Sequence, residues 1–143
     1  MARKLTLILC LAALAGSPAA AQRRAPAPPP LTGIDALRAE FAVQSGGSIV
    51  YFGMGSNQLS AQALQVLTAQ ARWIRKHPEV VVRIEGNADG GDTRDHALAV
   101  GARRAQEVRD YLVLLGVPAA QVTAVSWGKE RPGPGRVATI LVR

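Results

Sequence analysis

Short β-branched runs alternate along this chain with two long stretches of helical periodicity, and such an alternation restricts the chain to folds that mix helices with a sheet. Strand composition occurs four times, at residues 48–52, 80–85, 122–127 and 137–142. The helical stretches, residues 59–77 and 98–115, follow the first and second of these runs. The order β-α-β-α-β-β predicts an α/β (α+β) two-layer sandwich with a mixed four-stranded sheet and two helices on one face.

Each helical stretch carries one apolar stripe, which we expect to pack on the sheet. The first stripe consists of Leu64, Leu67, Ala71 and Ile74. The second consists of Leu98, Gly101, Ala105, Val108, Leu112 and Leu115. Ser60 is a suitable N-cap for the first helix, Pro78 cannot continue it, and Gly116 is a natural residue to follow the second. Leu67 and Leu112, in the middle of the stripes, are therefore predicted core residues.

The helices cover one sheet face and leave the other partly open. In the run at residues 80–85, Val80, Val82 and Ile84 share one face, so Arg83 and Glu85 belong to the opposite, open face. The last two strands are joined by a turn-rich segment of about nine residues. This length is sufficient for a hairpin-like return between them.

The N-terminal segment has the three parts of a secretory leader. Met1 to Lys4 is short and positive, residues 5–16 are apolar, and Ala19 to Ala21 are small. We expect a signal peptide over residues 1–21 with cleavage before Gln22. The alternatives are a retained membrane anchor and lipid modification at Cys10, but about 20 apolar residues are needed to span a bilayer and the cysteine lies in the middle of the run.

Residues 22–47 are predicted to form a Pro-rich linker that contains a short helix near residues 34–43. Four prolines between Ala25 and Leu31 favour an extended, semi-rigid spacer. The folded domain is then residues 48–143. The mature chain is expected to have no transmembrane segment and no cysteine.

The basic character of the chain suggests an anionic partner. The formal net charge is +7, and a leader would remove Arg3 and Lys4. The positive charges are spread along the chain and do not form a cluster, which disfavours nucleic acid. Membrane surfaces and cell-wall polymers remain as anionic partners.

The sequence offers little catalytic or metal chemistry. His77 and His96 have no second imidazole or thiol at metal-ligand spacing, and Asp89, Asp92 and Asp95 lack the pattern and closing glutamate of a calcium loop. No nucleophile with a neighbouring base and no phosphate-binding loop is evident. We therefore expect a binding module without cofactor or metal, and not an enzyme.

Three segments resemble a known family. They are VYFGMGSNQLS at the first strand, VRIEGNADGGDTRDHALAVGARRAQEVRDYLVLLGV in the centre and VSWGKERP near the end. Their order and spacing resemble the OmpA-like peptidoglycan-binding domain, and within it the peptidoglycan-associated lipoprotein branch. On this resemblance, residues 48–143 are an OmpA-like domain of the cell envelope, in the periplasm and associated with the cell wall or outer membrane.

The resemblance implies non-covalent binding of peptidoglycan through the diaminopimelate residue of its stem peptide. The end of that side chain carries an ammonium and a carboxylate on one carbon. Asp89 matches the acid of the family and would take the ammonium, and Arg104 matches its arginine and would grip the carboxylate with two hydrogen bonds. The supporting positions are Phe52, Asn87, Thr93 and Leu98.

The sequence departs from the family at several positions. The family usually has His at Asn87 and often Asn at Ala97. It has acidic or amide residues at Gly53 and Gly55, and its Asn-Arg-Arg is reduced to residues 134–136 here. These losses leave open an alternative, a degenerate OmpA-like domain that serves as a periplasmic protein-interaction module with weak or no wall binding. Envelope proteins would then be its partners.

Overall fold

A computed structural model of the protein describes residues 33–91, 93–131 and 133–142. The predicted signal peptide, residues 1–21, and the Pro-rich part of the predicted linker lie outside these residues. No helix within the described ranges is long and apolar enough to cross a membrane.

The described part of the chain forms three α-helices and four strands, in an order that confirms β-α-β-α-β-β with one helix before it. The elements are α1 (Ile34–Gln44), β1 (Ile49–Tyr51), α2 (Ala61–Lys76), β2 (Val82–Asn87), α3 (Arg94–Leu114), a 3-10 turn (Ala119–Gln121), β3 (Val122–Gly128) and β4 (Arg136–Leu141). The capping predicted for α2 is confirmed, because the Ser60 hydroxyl accepts a hydrogen bond from the backbone N–H of Ala63. Gly116 follows α3 with φ of 93°, a conformation that favours glycine.

The sheet is mixed and four-stranded, as predicted, with strand order β1-β4-β2-β3. β2 and β3 are parallel, and β4 is antiparallel to both β1 and β2. The predicted hairpin-like return is wrong, because β2 lies between β3 and β4. In the central position β4 forms hydrogen-bonded ladders on both sides, and Val137, Thr139 and Leu141 become buried. The three-residue strand β1 takes the edge instead.

The core lies between the sheet and the helices and is mainly aliphatic. Leu67 and Leu112 are both 0% exposed, which confirms them as core residues. The helix-facing residues of the sheet, among them Val82, Ile84 and Val137, belong to the same apolar cluster.

Helix α3 packs on β2 through two glycines. A Cβ atom at Gly86 would collide with the backbone carbonyl of Gly101, and one at Gly101 would collide with Ser126 of β3. The absence of side chains at these two positions lets the backbones approach closely. This close approach fixes where Arg104, one turn further along α3, meets the end of β2.

The short helix expected near residues 34–43 is present as α1, and it packs into the domain. Phe41 is 1% exposed and meets the ring of Trp73 edge-on, with the centroids 5.1 Å apart. Arg38 donates two hydrogen bonds to the carbonyl oxygen of Leu141 at the end of β4. The helix therefore joins α2 to the end of the sheet.

Candidate functional site

Asp89 and Arg104 form an ion pair, with Nη2 of Arg104 3.1 Å from Oδ2 of Asp89. Asp89 lies in the loop directly after β2, and Arg104 lies in the middle of α3. The loop and the first turns of α3 thus return the arginine to the end of the strand, as the sequence predicts. The two charges meet at the carboxyl end of a parallel strand, a usual place for ligand sites in sheets of this kind.

Arg104 is fully buried, with 0% of its side chain exposed. Its Nε and Nη2 groups donate to the carbonyl oxygen of Ser56 at 3.1 and 2.9 Å. Its Nη1 group donates to the carbonyl oxygen of Asn87 at 3.0 Å. The guanidinium also lies over the Phe52 ring, 5.2 Å from its centroid. Arg104 therefore fastens the loop after β1 and the end of β2 to α3.

These contacts change the role expected for Arg104. One edge of its guanidinium is occupied by Ser56, and Nη2 also reaches Asp89. In this conformation the side chain cannot offer two parallel N–H groups to a ligand carboxylate. A direct grip requires that one of the covering segments moves away.

Gly135 is one of the covering residues. Its backbone N–H donates to Oδ1 of Asp89 at 2.8 Å, and a Cβ atom at this position would overlap Nη1 of Arg104. Only glycine lets the segment before β4 lie this close to the ion pair. The shortened sequence at residues 134–136 thus closes the site over Arg104.

Asp89 is the member of the pair that reaches solvent, with 33% of its side chain exposed. Burial by itself raises the pKa of Asp89, but the hydrogen bonds from the Gly135 backbone and the Arg104 side chain, the charge of Arg104 and the Gly55 backbone together lower it below 3.8. The carboxylate is therefore anionic at neutral pH, held in place and accessible to a cation.

The lowered pKa of Asp89 predicts a pH dependence of stability. A carboxyl group with a lowered pKa in the folded state contributes stability above its unfolded pKa, about 3.9, and the contribution is lost as the pH falls through the folded value. We expect wild type to be more stable than Asp89→Asn at pH 6, and this difference should narrow below about pH 4. Urea unfolding of both proteins between pH 6 and pH 2 measures it. A difference that stays constant over this range would contradict the ion pair.

The supporting positions fall into two groups. Phe52 and Asn87 contact Arg104 and are buried, at 7% and 2% exposure. The side-chain Nδ2 of Asn87 has no hydrogen-bond partner in the described structure. Thr93 instead caps α3 by accepting from the backbone N–H of His96, and the carbonyl of Leu98 accepts from the Ser126 hydroxyl. These two residues position α3 and do not form hydrogen bonds with the pair.

Two contributors to the site were missed by sequence reasoning. Ser56 and Gly135 act through their backbone carbonyl and N–H groups, so their side chains gave no signal. Ala97, where the family often has Asn, is 0% exposed and packs inside the domain. Among the described residues, no group of three or more metal-ligating side chains could hold a metal ion.

Comparison with known proteins identifies the family. The OmpA family matches residues 51–136, a range that contains β2, α3 and the Asp89–Arg104 pair. The chain belongs to the OmpA family. The resemblance deduced from the three sequence segments is confirmed.

The names of similar proteins confirm the resemblance to the peptidoglycan-associated lipoprotein branch. The peptidoglycan-associated lipoprotein of Agrobacterium fabrum is 42% identical over 93 residues, which are 65% of this chain and 52% of the relative. That of Pseudomonas putida is 38% identical over 69% of this chain and 59% of the relative. The chain thus spans about half the length of these relatives. Their name describes association with peptidoglycan, which agrees with a binding module and not an enzyme.

Solved structures of this family have the same fold. The peptidoglycan-associated lipoprotein from Burkholderia pseudomallei has a TM-score of 0.65 and 34% identity, and the match covers 67% of this chain and 91% of that one. The OmpA-like domain of FopA1 from Francisella tularensis has a TM-score of 0.60 at 18% identity, over 65% of this chain and 70% of that one. The second likeness concerns the fold alone.

Proposed function

We propose that this protein binds peptidoglycan non-covalently in the cell envelope, with Asp89 as the direct ligand contact. The observation that carries the proposal is the state of Asp89, an accessible anion at the end of β2 whose position is fixed by Arg104 and Gly135. It lies inside the region that matches the OmpA family. The names of the relatives support peptidoglycan as the partner. A protein that binds peptidoglycan in this way would lie in the periplasm, at the cell wall or outer membrane.

The ligand group that suits this site is the side chain of diaminopimelate. Its ammonium would bind the exposed oxygens of Asp89 in a charge-assisted hydrogen bond. Its carboxylate, on the same carbon, would be drawn by the positive charge of Arg104 beneath. A direct contact with Arg104 requires that the backbone at Gly135 moves off Nη1. Until then Arg104 acts through Asp89, by holding it and the neighbouring loops in place.

Pelleting with purified sacculi tests the proposal. Asp89→Asn should bind diaminopimelate-type sacculi roughly ten- to a hundred-fold more weakly than wild type, because it loses one charge-assisted contact. Asp110→Asn is the matched control, since Asp110 is an exposed acid further along α3, and it should bind as wild type does. Sacculi that carry lysine in place of diaminopimelate lack the second carboxylate and should bind wild type less well.

Two outcomes would contradict the proposal. If Asp89→Asn and wild type pellet equally well with sacculi, Asp89 is not a ligand contact. No pelleting of correctly folded wild type with either wall type would favour the alternative, a degenerate domain that interacts with envelope proteins.

A further inference from the structure

The open face of the sheet carries a cluster of two arginines, a glutamate and a tryptophan, which we call the arginine cradle: Arg83, Glu85, Trp127 and Arg131. Strand alternation places Arg83 and Glu85 of β2 on the face opposite the helices, together with Trp127 of β3. Arg131 follows β3 and reaches back over this face to Glu85. The cradle shares no member with the Asp89–Arg104 pair.

Glu85 is an acid buried on the face that the sequence predicted to be open. Its side chain is 1% exposed because the two arginines cover it. Nε and Nη2 of Arg83 bind Oε1 at 2.8 and 2.7 Å, and Nη1 of Arg131 binds Oε2. A buried carboxylate needs such partners, but one acid neutralises only one of the two arginines. The cradle keeps a net charge of +1.

Both guanidinium groups are held in place and remain accessible. The side chains of Arg83 and Arg131 are 41% and 43% exposed. Arg131 is additionally stacked on the Trp127 ring, with Cζ 4.3 Å from the ring centroid. Arginine donates up to five hydrogen bonds in a planar fork that matches a carboxylate. Glu85 occupies only part of each guanidinium, so the remaining N–H groups and the excess positive charge form a site for an external carboxylate.

The cradle lies close to the proposed peptidoglycan site. Glu85 and Asp89 are four residues apart on β2 and the loop that continues it, so they are separated by roughly 13 Å if the chain stays extended. Asp89 pairs with Arg104 of α3, whereas the cradle lies on the face opposite the helices. An extended ligand would therefore span the two sites by passing around the end of β2.

We propose that the arginine cradle is a second subsite that binds the carboxylate next to diaminopimelate in the stem peptide of peptidoglycan. In this peptide a glutamate is linked through its side chain, so its α-carboxylate is free. About ten covalent bonds separate this carboxylate from the ammonium of diaminopimelate. The distance between the two groups is on the order of 12 Å when the peptide is extended. The inference rests on the proposed function and specifies which further group of the same ligand is recognised.

Charge disfavours two other occupants of the cradle. The segment at residues 22–32 contains Arg23 and Arg24 and no acid, so it does not complement a positive surface. A symmetric contact between two copies of this chain would bring the same net positive charge together, which is unfavourable. An acidic ligand satisfies the cradle better than either.

A change in the ligand tests the inference without any change in the protein. Two soluble tripeptides, L-Ala-γ-D-Glu-diaminopimelate and the same peptide with the α-carboxylate of Glu amidated, are compared by calorimetry with wild type. We expect the amidated peptide to bind roughly ten-fold more weakly, because it loses a charge-assisted contact with the arginines. Equal affinity of the two peptides would overturn the proposal.

Variants then locate the effect. Arg131→Lys keeps a positive charge beside Glu85, so the variant should fold. It removes the planar guanidinium, so the variant should lose most of the preference for the peptide with the free α-carboxylate. Arg103→Gln, on the exposed surface of α3, is the control and should keep the preference. An undiminished preference in Arg131→Lys would overturn the assignment to the cradle.

Failure of the inference and failure of the proposed function give different results. If both peptides bind equally well and Asp89→Asn weakens both, only the second subsite is wrong. If neither peptide binds folded wild type and wild type does not pellet with sacculi either, the proposed function itself is wrong and the inference falls with it.

Discussion

Replacing Arg104 by leucine is expected to lower the free energy of unfolding by about 3–5 kcal/mol, because each buried acceptor left without its partner costs about 1–3 kcal/mol. The arginine is 0% exposed and binds the carbonyls of Ser56 and Asn87 as well as Asp89. Leucine fills part of the volume but satisfies none of these acceptors. The total free energy of unfolding of a domain is about 5–15 kcal/mol. The expected loss is a large fraction of it, so the variant should unfold at a lower denaturant concentration. Denaturant unfolding followed by circular dichroism measures the change.

Two further variants make this test specific. Arg103→Leu alters the neighbouring exposed residue of α3 and should change stability by less than about 0.5 kcal/mol. Arg104→Lys keeps the charge but cannot reach the same set of carbonyls, so we expect a loss of roughly 1–3 kcal/mol. If Arg104 served only to contact the ligand, its replacement by lysine would leave the melting temperature almost unchanged. An unchanged melting temperature for Arg104→Lys would therefore contradict this structural role. It would favour the direct contact with a ligand carboxylate that is expected from the sequence.

The sequence predicts the elements of this fold well because their signals are local. The apolar stripes identify α2 and α3, and their central residues Leu67 and Leu112 are buried as expected. Ser60 and Gly116 mark helix ends through the hydrogen bonds and dihedral angles that such residues favour. The β-branched runs identify the strands, since each needs only a few residues of strand composition.

The neighbours of each strand are not encoded in the same local way. A turn-rich connection between β3 and β4 is compatible with a hairpin, but β4 pairs with β1 and β2 instead. That choice depends on ladders formed with residues far away along the chain. Pairing preferences of this kind emerge from the whole sheet and not from the connecting loop.

The sequence predicts the two residues of the site, but it does not predict how the surrounding backbone buries one of them. Asp89 and Arg104 were expected to meet, and they do. The burial of Arg104 depends on backbone atoms of Ser56 and Gly135, which side-chain chemistry does not reveal. Glu85 similarly lies on an open face but is buried by its two arginines. In each case long side chains and loops cover a group that strand alternation alone places at the surface.

Leu112→Ala should be the most destabilising change away from the site, with an expected cost of about 2–5 kcal/mol. Leu112 is 0% exposed in the core between α3 and the sheet, and alanine leaves a cavity there. For a domain of this size the melting temperature should fall by on the order of 10 °C or more. Binding to sacculi below the transition should persist, because Leu112 lies about 12 Å along α3 from Arg104.

Leu114→Ala is the matched control for this prediction, since Leu114 is on the same helix but 79% exposed. It should shift the melting temperature only slightly, because an exposed substitution usually changes stability by less than about 0.5 kcal/mol. Equal shifts for the two variants would mean that α3 is rotated about its axis. The same rotation would carry Arg104 away from Asp89, because both the core stripe and the arginine belong to one continuous helix. A thermal melt of two leucine variants therefore also tests the geometry on which the proposed binding site depends.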